Sequence, residues 1–218
     1  MKNRIVIVAG ATGLVGKEIL KGLLIDSSVT AVHSLGRRLP AVEHPKLKTH
    51  VVDFAALPSL PAADEVYLAL GTTIKVAGSQ EAFRAVDYDA NLAVAKAAQA
   101  AGAVKVGLVS AMGADSRSSV FYSRVKGELE DALAKMAFQG LVIARPSLLV
   151  GDREALGQPS RRGEKIGFAL GRAIGFLIPA NYKPVEAKAV ANALLGGVPT
   201  AKGKTILLSG SILRQSKR

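Results

Sequence analysis

Apolar and polar positions along the chain follow two alternating rhythms. Residues 4–9 (RIVIVA) form a continuous, β-branched apolar run, the pattern of a strand buried on both faces. The next segment changes period, placing Leu14, Val15, Ile19, Leu23 and Leu24 on one side of a helix. Strand-like runs follow at 29–35 (VTAVHSL), 49–54 (THVVDF) and 65–70 (EVYLAL). The Ala-rich stretch 80–101 predicts one long helix ending at Gly102. Beyond it the pattern predicts a strand at 104–110, a helix at 120–137 and a strand at 140–146. Helices at 160–177 and 185–196 and a last strand at 205–210 complete the chain.

Strands alternating with helices imply right-handed βαβ units and a mainly parallel sheet. The expected fold is therefore α/β and doubly wound, with about seven strands in a single domain spanning 1–218. A small C-terminal insertion, at about 151–185, is expected on the substrate side. No linker rich in Pro, Gly or Ser divides the chain, and no fixed-period repeat is present. Hydrophobic residues make up 49% of the 218, enough for a substantial core, but aromatics are only 5%. That core must be built mainly from Ala, Val, Leu and Ile.

Between the first strand and the first helix lies Gly10-Ala11-Thr12-Gly13-Leu14-Val15-Gly16. Spaced glycines alone are weak evidence, but here a strand precedes them and a helix follows. The first permits a tight turn, the second lets dinucleotide phosphates approach the backbone, and the third lets strand and helix pack closely. The helix N-terminus offers unpaired N–H groups and a favourable dipole to the anion. This is the phosphate turn of a Rossmann sheet. The second strand ends in Leu35-Gly36-Arg37-Arg38, with no acid to accept from the adenosine ribose and two guanidinium groups suited to a 2′-phosphate. NADP(H) is the expected cofactor, although two ordinary surface arginines would read alike. Asp53, closing the third strand, either reaches the adenine edge or caps a loop. Leu70-Gly71-Thr72-Thr73 follow the fourth strand, small enough for backbone and hydroxyls to lie along the cofactor.

Tyr122 and Lys126 are four apart in a predicted helix and project from one face. Ser110 ends the strand before it. In this arrangement Tyr122 gives a proton to a developing alkoxide, and Lys126 eases its departure and holds the nicotinamide ribose. Ser110 hydrogen-bonds the substrate oxygen. A surface tyrosine beside a solvated lysine is the plainer alternative.

The segments GATGLVG (10–16), LGRR (35–38), LGTT (70–73), VSAMGAD (109–115), YSRVKGELE (122–130) and ARPSLLVG (144–151) together resemble an atypical short-chain dehydrogenase/reductase. The likeness covers about residues 4–150 and is greatest to the branch containing the Tat-interacting tumour-suppressor oxidoreductase and its bacterial relatives. It implies catalytic positions at Ser110, Tyr122 and Lys126, and cofactor positions at Thr12, Leu14, Val15 and Arg37. Leu70, Gly71 and the Pro146–Ser147 backbone would lie near the nicotinamide, and Asn91 would bond backbone between strands. Some members of this branch are described as redox sensors or protein partners, so the resemblance implies cofactor binding more firmly than turnover.

The remaining features narrow the picture by exclusion. With no cysteine there are no disulfides, thiolate metal sites or cysteine nucleophile. His33, His44 and His50 lack metal-ligand spacing, and no metal is expected. The N-terminal apolar run is too short for a secretory signal, and no stretch approaches the ~18 apolar residues that span a bilayer. A cytoplasmic location is the resulting expectation. Formal charge is +12, with 12 Lys/Arg against 4 Asp/Glu after residue 150. Without aromatic platforms or a known motif, nucleic-acid binding is not expected, and the bland reading is a solvated surface plus a loose basic tail, GSILRQSKR. Residues 161–178 carry Gly163, Gly167, Gly171 and Gly175 at four-residue spacing. That stripe suits a helix packed tightly on the sheet, but equally a lid, a homodimer contact or a peripheral membrane element. The function these features predict is NADPH-dependent reduction of a carbonyl, or oxidation of the matching alcohol, on a small apolar substrate. The rival reading is an NADP(H)-sensing regulatory protein with little or no catalysis.

Overall fold

Seven parallel strands lie side by side in the computed structural model, which describes residues 3–150 and 179–216. In chain order they are β1 (Arg4–Ala9), β2 (Val29–Gly36), β3 (Leu47–Val51), β4 (Glu65–Leu68), β5 (Lys105–Val109), β6 (Gly140–Arg145) and, at the far edge, the strand Gly203–Leu208. They assemble in the order β3-β2-β1-β4-β5-β6 followed by Gly203–Leu208. Leu149–Val150 and Val185–Glu186 form a second, two-stranded parallel ladder. The doubly wound α/β architecture read from the sequence is the observed one.

Strand β1 shows why the sheet needs a core on each face. Val6 and Val8 point to one side, among α1 (Leu14–Ile25) and the helix Ala187–Gly197. Ile7 and Ala9 point to the other, among α4 (Asn91–Ala100) and α5 (Phe121–Lys135). All four are fully buried, so a run without polar positions is what this strand requires. At the strands' N-terminal rim the Arg4 guanidinium donates to Glu65 at 2.7 Å, to Asp26 at 2.6 Å and to Ser28 Oγ at 2.9 Å.

Three local predictions need correction. The stretch 80–101 is not one helix: after a short α2 (Ile74–Ala77), α3 (Gln80–Arg84) passes into a π-helical turn, Ala85–Ala90, and only then into α4. Strand β3 ends at Val51, so Asp53 lies two residues beyond it, in a loop. The supposed loose tail is, over its described residues, mostly helix: Ser209–Gln215 is helical with Ser209, Gly210 and Ile212 buried. The predicted helix 160–177 and the glycine stripe 161–178 lie outside the described residues. Among the described residues no helix is long and apolar enough to cross a membrane.

Candidate active site

In a parallel sheet the turns leaving the C-terminal strand ends gather on one rim, and the strand order reverses between β1 and β4. The glycine turn, the 70–73 segment, Ser110 and Pro146–Ser147 all follow strands at this rim. Gly10 takes φ +89°, and a Cβ there would meet Ala69 O at 2.5 Å. A Cβ on Gly16 would lie 2.1 Å from Gly10 O. Only hydrogen fits at either position, and the turn is drawn against both the neighbouring strand and its own helix. Helix α1 starts at Leu14 with no side-chain cap and no acid in its first turn. Its leading amides are therefore free of internal competition for an anion. Thr12, Gly13 and Leu14 are half-buried along this turn, while Val15 and Gly16 are buried beneath it.

Arg37 and Arg38 are exposed immediately beyond β2, whose Leu35 carbonyl accepts from Gly10 N at 3.2 Å. The two arginines thus follow directly on the strand end that is hydrogen-bonded to the glycine turn. Asp53 is exposed, and its Oδ1 accepts from Ala55 N at 2.9 Å, which is the loop-cap geometry.

Tyr122 and Lys126 share one face of α5, as their spacing requires. Tyr122 is half-buried, with its ring 5.5 Å from that of Phe83. Lys126 is buried and forms an ion pair with Asp87 Oδ1 at 2.6 Å. The second Asp87 oxygen accepts from Thr72 N at 2.8 Å. Gly71 passes over the pair so closely that a Cβ on it would sit 3.5 Å from Asp87 Oδ1 and 4.0 Å from Lys126 Nζ. Burial pulls the Lys126 ammonium down, but Asp87, then Tyr122 and Glu130, outweigh it and hold the group above the ordinary lysine range. The lysine remains a cation in a nearly water-free position.

Ser110 is placed differently from expectation. It is buried, and its hydroxyl donates to Glu130 Oε1 at 2.5 Å. Glu130 also receives Arg145, through Nε at 3.0 and 3.1 Å and Nη2 at 2.6 Å. The serine proton is thereby committed to a buried carboxylate, not offered to a substrate oxygen. Pro146 and Ser147 are similarly engaged: Pro146 O accepts from Met112 N at 2.9 Å, and Ser147 N donates to Ser209 Oγ at 2.9 Å. Ser147 Oγ donates to Lys183 O at 2.6 Å. Asn91 is fully buried and bonds backbone, its Nδ2 donating to Leu70 O at 3.2 Å, Val86 O at 3.2 Å and Asp87 O at 3.1 Å. Among the described residues no group of three or more His, Asp or Glu could hold a metal ion.

Asp87, Glu130 and Arg145 are the site residues that the sequence reading passed over. A signal for Asp87 exists. Phe83, Asp87, Asn91, Val94 and Ala98 fall at successive spacings of three or four, so two polar residues interrupt an apolar stripe.

The chain matches the NAD(P)H-binding family over residues 10–148. Protein fmp52, mitochondrial, of Emericella nidulans is 36% identical over 96% of this chain and 97% of its own length. The Candida albicans protein FMP52, mitochondrial, is also 36% identical, over 94% and 95% respectively. The solved UDP-N-acetylglucosamine 4-epimerase of Methanobrevibacter ruminantium shares the fold, with TM-score 0.70 over 95% of this chain and 77% of its own at 16% identity. Bordetella bronchiseptica WbmF, solved with NAD+, gives TM-score 0.67 over 99% and 78% at 18% identity. These relatives correct the cytoplasmic expectation: the fungal proteins are named as mitochondrial, and their names point away from the cytoplasm.

Proposed function

The chain belongs to the NAD(P)H-binding family, and on that footing we propose that it is an atypical short-chain dehydrogenase/reductase that reduces a carbonyl on a small, apolar substrate at the expense of NADPH. The observation that carries this reading is the buried Lys126–Asp87 pair, one helical turn beyond Tyr122.

The residues present fit a dinucleotide. The Gly10–Gly16 turn packs too tightly for side chains at Gly10 and Gly16 and leads into the uncapped amides of α1, and Gly71 brings bare backbone close to the ammonium. The exposed Arg37 and Arg38 support NADPH over NADH, since paired guanidinium groups suit a 2′-phosphate and no acid stands in their place. Thr12, Leu14, Val15, Leu70 and Thr72 line the route between the two turns, with Lys126 at the nicotinamide ribose. When bound, NADPH supplies the hydride that reaches the carbonyl carbon. Tyr122 donates its phenolic proton to the carbonyl oxygen, and the Lys126 ammonium faces the phenolate that remains. Apolar residues such as Phe168, Leu170 and Ile174 in the 151–185 insertion suggest an apolar substrate.

NADPH oxidation against a panel of aldehydes and ketones tests the proposal. Tyr122→Phe should abolish turnover and leave NADPH affinity intact. A second reading, an NADP(H)-sensing regulatory protein, is favoured by one observation: the Ser110 hydroxyl is already taken by Glu130. Tight NADPH binding with no turnover on any carbonyl would decide for the sensor.

A further inference from the structure

Asp87 belongs to none of the sequence motifs, yet it is fully buried and both its oxygens are committed, one to Lys126 and one to Thr72 N. The backbone that carries it is unusual. Ala85–Ala90 is a π-helical turn, a form concentrated at functional positions. Asn91 pins that turn from within, bonding the Val86 and Asp87 carbonyls and reaching across to Leu70 O. The flanks are fixed as well. Phe83 packs against the rings of Phe121 and Tyr122, and Arg84 pairs with Glu128. Three segments (the loop after β4, the π turn and α5) therefore converge on a single carboxylate.

We propose that Asp87 is the positioning residue of this site, fixing the Lys126 ammonium and tying it to the Gly71–Thr72 backbone so that lysine and cofactor loop are presented as one unit. The catalytic consequence rests on the reductase reading; the hold on Lys126 does not. A lysine side chain has four rotatable bonds and, buried without a counter-charge, would neutralise. Among the described residues, the other titratable groups that act on it are Tyr122 and Glu130, both on its own helix. Glu130 is already occupied by Arg145 and Ser110. Asp87 is thus the carboxylate in direct contact with the ammonium, and it comes from a different element.

Asp87→Asn tests the inference, because the amide keeps an acceptor for Thr72 N–H and removes the charge. The direct readout is the 13Cε titration of Lys126 in lysine-labelled protein, its resonance assigned by its loss in Lys126→Met. In the parent protein Lys126 should stay protonated while the surface lysines titrate. In Asp87→Asn its titration should move down by about one pH unit or more. Turnover at neutral pH should fall by about tenfold or more, because the ammonium is no longer held in place, and the high-pH limb of the rate profile should move to lower pH together with the lysine titration. Asp87→Glu, which restores the charge, should recover part of the loss. A variant that is merely less stable, with unmoved titration and pH profile, would overturn the proposal. So would a parent Lys126 that titrates with or below the surface lysines, a result that needs no folded variant. If the parent turns over no carbonyl, the reductase reading fails while the titration still decides whether Asp87 holds Lys126.

Discussion

Replacing Gly16 by Ala sets the needs of the turn against the preference of the helix. Gly16 is the third residue of α1, where Ala is favoured over Gly by about 1 kcal/mol through backbone entropy. The added methyl, however, would lie 2.1 Å from Gly10 O, 2.7 Å from Gly10 C and 3.2 Å from Ala11 Cα. All of these are backbone atoms, and Gly10 is itself pressed against Ala69. Restoring ordinary contact requires the turn to move by roughly 1 Å, and overpacking of this kind costs about 1–3 kcal/mol. The clash therefore offsets or exceeds the propensity gain. The difference, a net loss of up to about 2 kcal/mol, would lower Tm by up to about 8 °C in a chain of this size. Cofactor binding should suffer more, because displaced amides no longer meet the phosphates. Losing one hydrogen bond to a charged group costs about 1.5–3 kcal/mol, or about ten- to a hundredfold in NADPH affinity. Gly13→Ala is the matched control for the melts alone, since its Cβ would approach Gly10 O only to 3.3 Å but would stand where the phosphates approach the backbone. Thermal melts and fluorescence titration with NADPH measure both effects. A Gly16→Ala protein as stable as its parent and binding NADPH equally well would refute the reasoning.

Three further outcomes are expected. Arg37→Ala combined with Arg38→Ala should weaken NADPH about tenfold or more while leaving NADH affinity nearly unchanged; equal losses in parallel titrations would remove the argument for NADPH. Glu130→Ala leaves Arg145, whose side chain is 24% exposed, and the Ser110 hydroxyl without their partner. It should cost about 3 kcal/mol and about 6–12 °C in Tm, and a loss below about 1 kcal/mol would show the network to be idle. His33 is buried with its Nδ1 2.9 Å from His50 Nε2, and burial, then His50 and Lys48, lower its pKa from 6.5. The unfolded chain therefore takes up a proton that the folded chain resists, so this contribution is full above the ordinary histidine range and is lost as pH falls through it. Urea midpoints measured from about pH 7.5 to 5.5 should fall less steeply in His33→Gln, and parallel slopes would contradict the assignment.

The legibility of the sequence followed the range of the forces involved. Strand β1, the glycine turn and α1 were readable because local period and the absence of side chains determine them. Tyr122 and Lys126 were readable because four residues on a helix always share a face. Asp87 was harder to read, since one acid among Glu81, Asp87 and Asp89 in an Ala-rich stretch looks like a solvated one, and only its place on the apolar stripe sets it apart. Ser110 occupies the expected strand end, but its proton goes to a residue twenty positions away, which spacing does not reveal. The closing helix Ser209–Gln215 looked like tail because its warrant is tertiary: Ile212 is buried and Ser209 bonds Ser147, sixty-two residues distant.

The Arg4 cluster lies on the rim of the sheet opposite the glycine turn and the loops after β4, β5 and β6. This polarity partitions the molecule for heritable change. Substitutions around Arg4, Asp26 and Glu65 act on the lifetime of the fold and leave the chemical groups where they are. Rewriting the loops at the other rim alters what is bound while the strands beneath them stay in register. A lineage can then adjust to temperature by editing one rim and to substrate by editing the other, with little interference between the two.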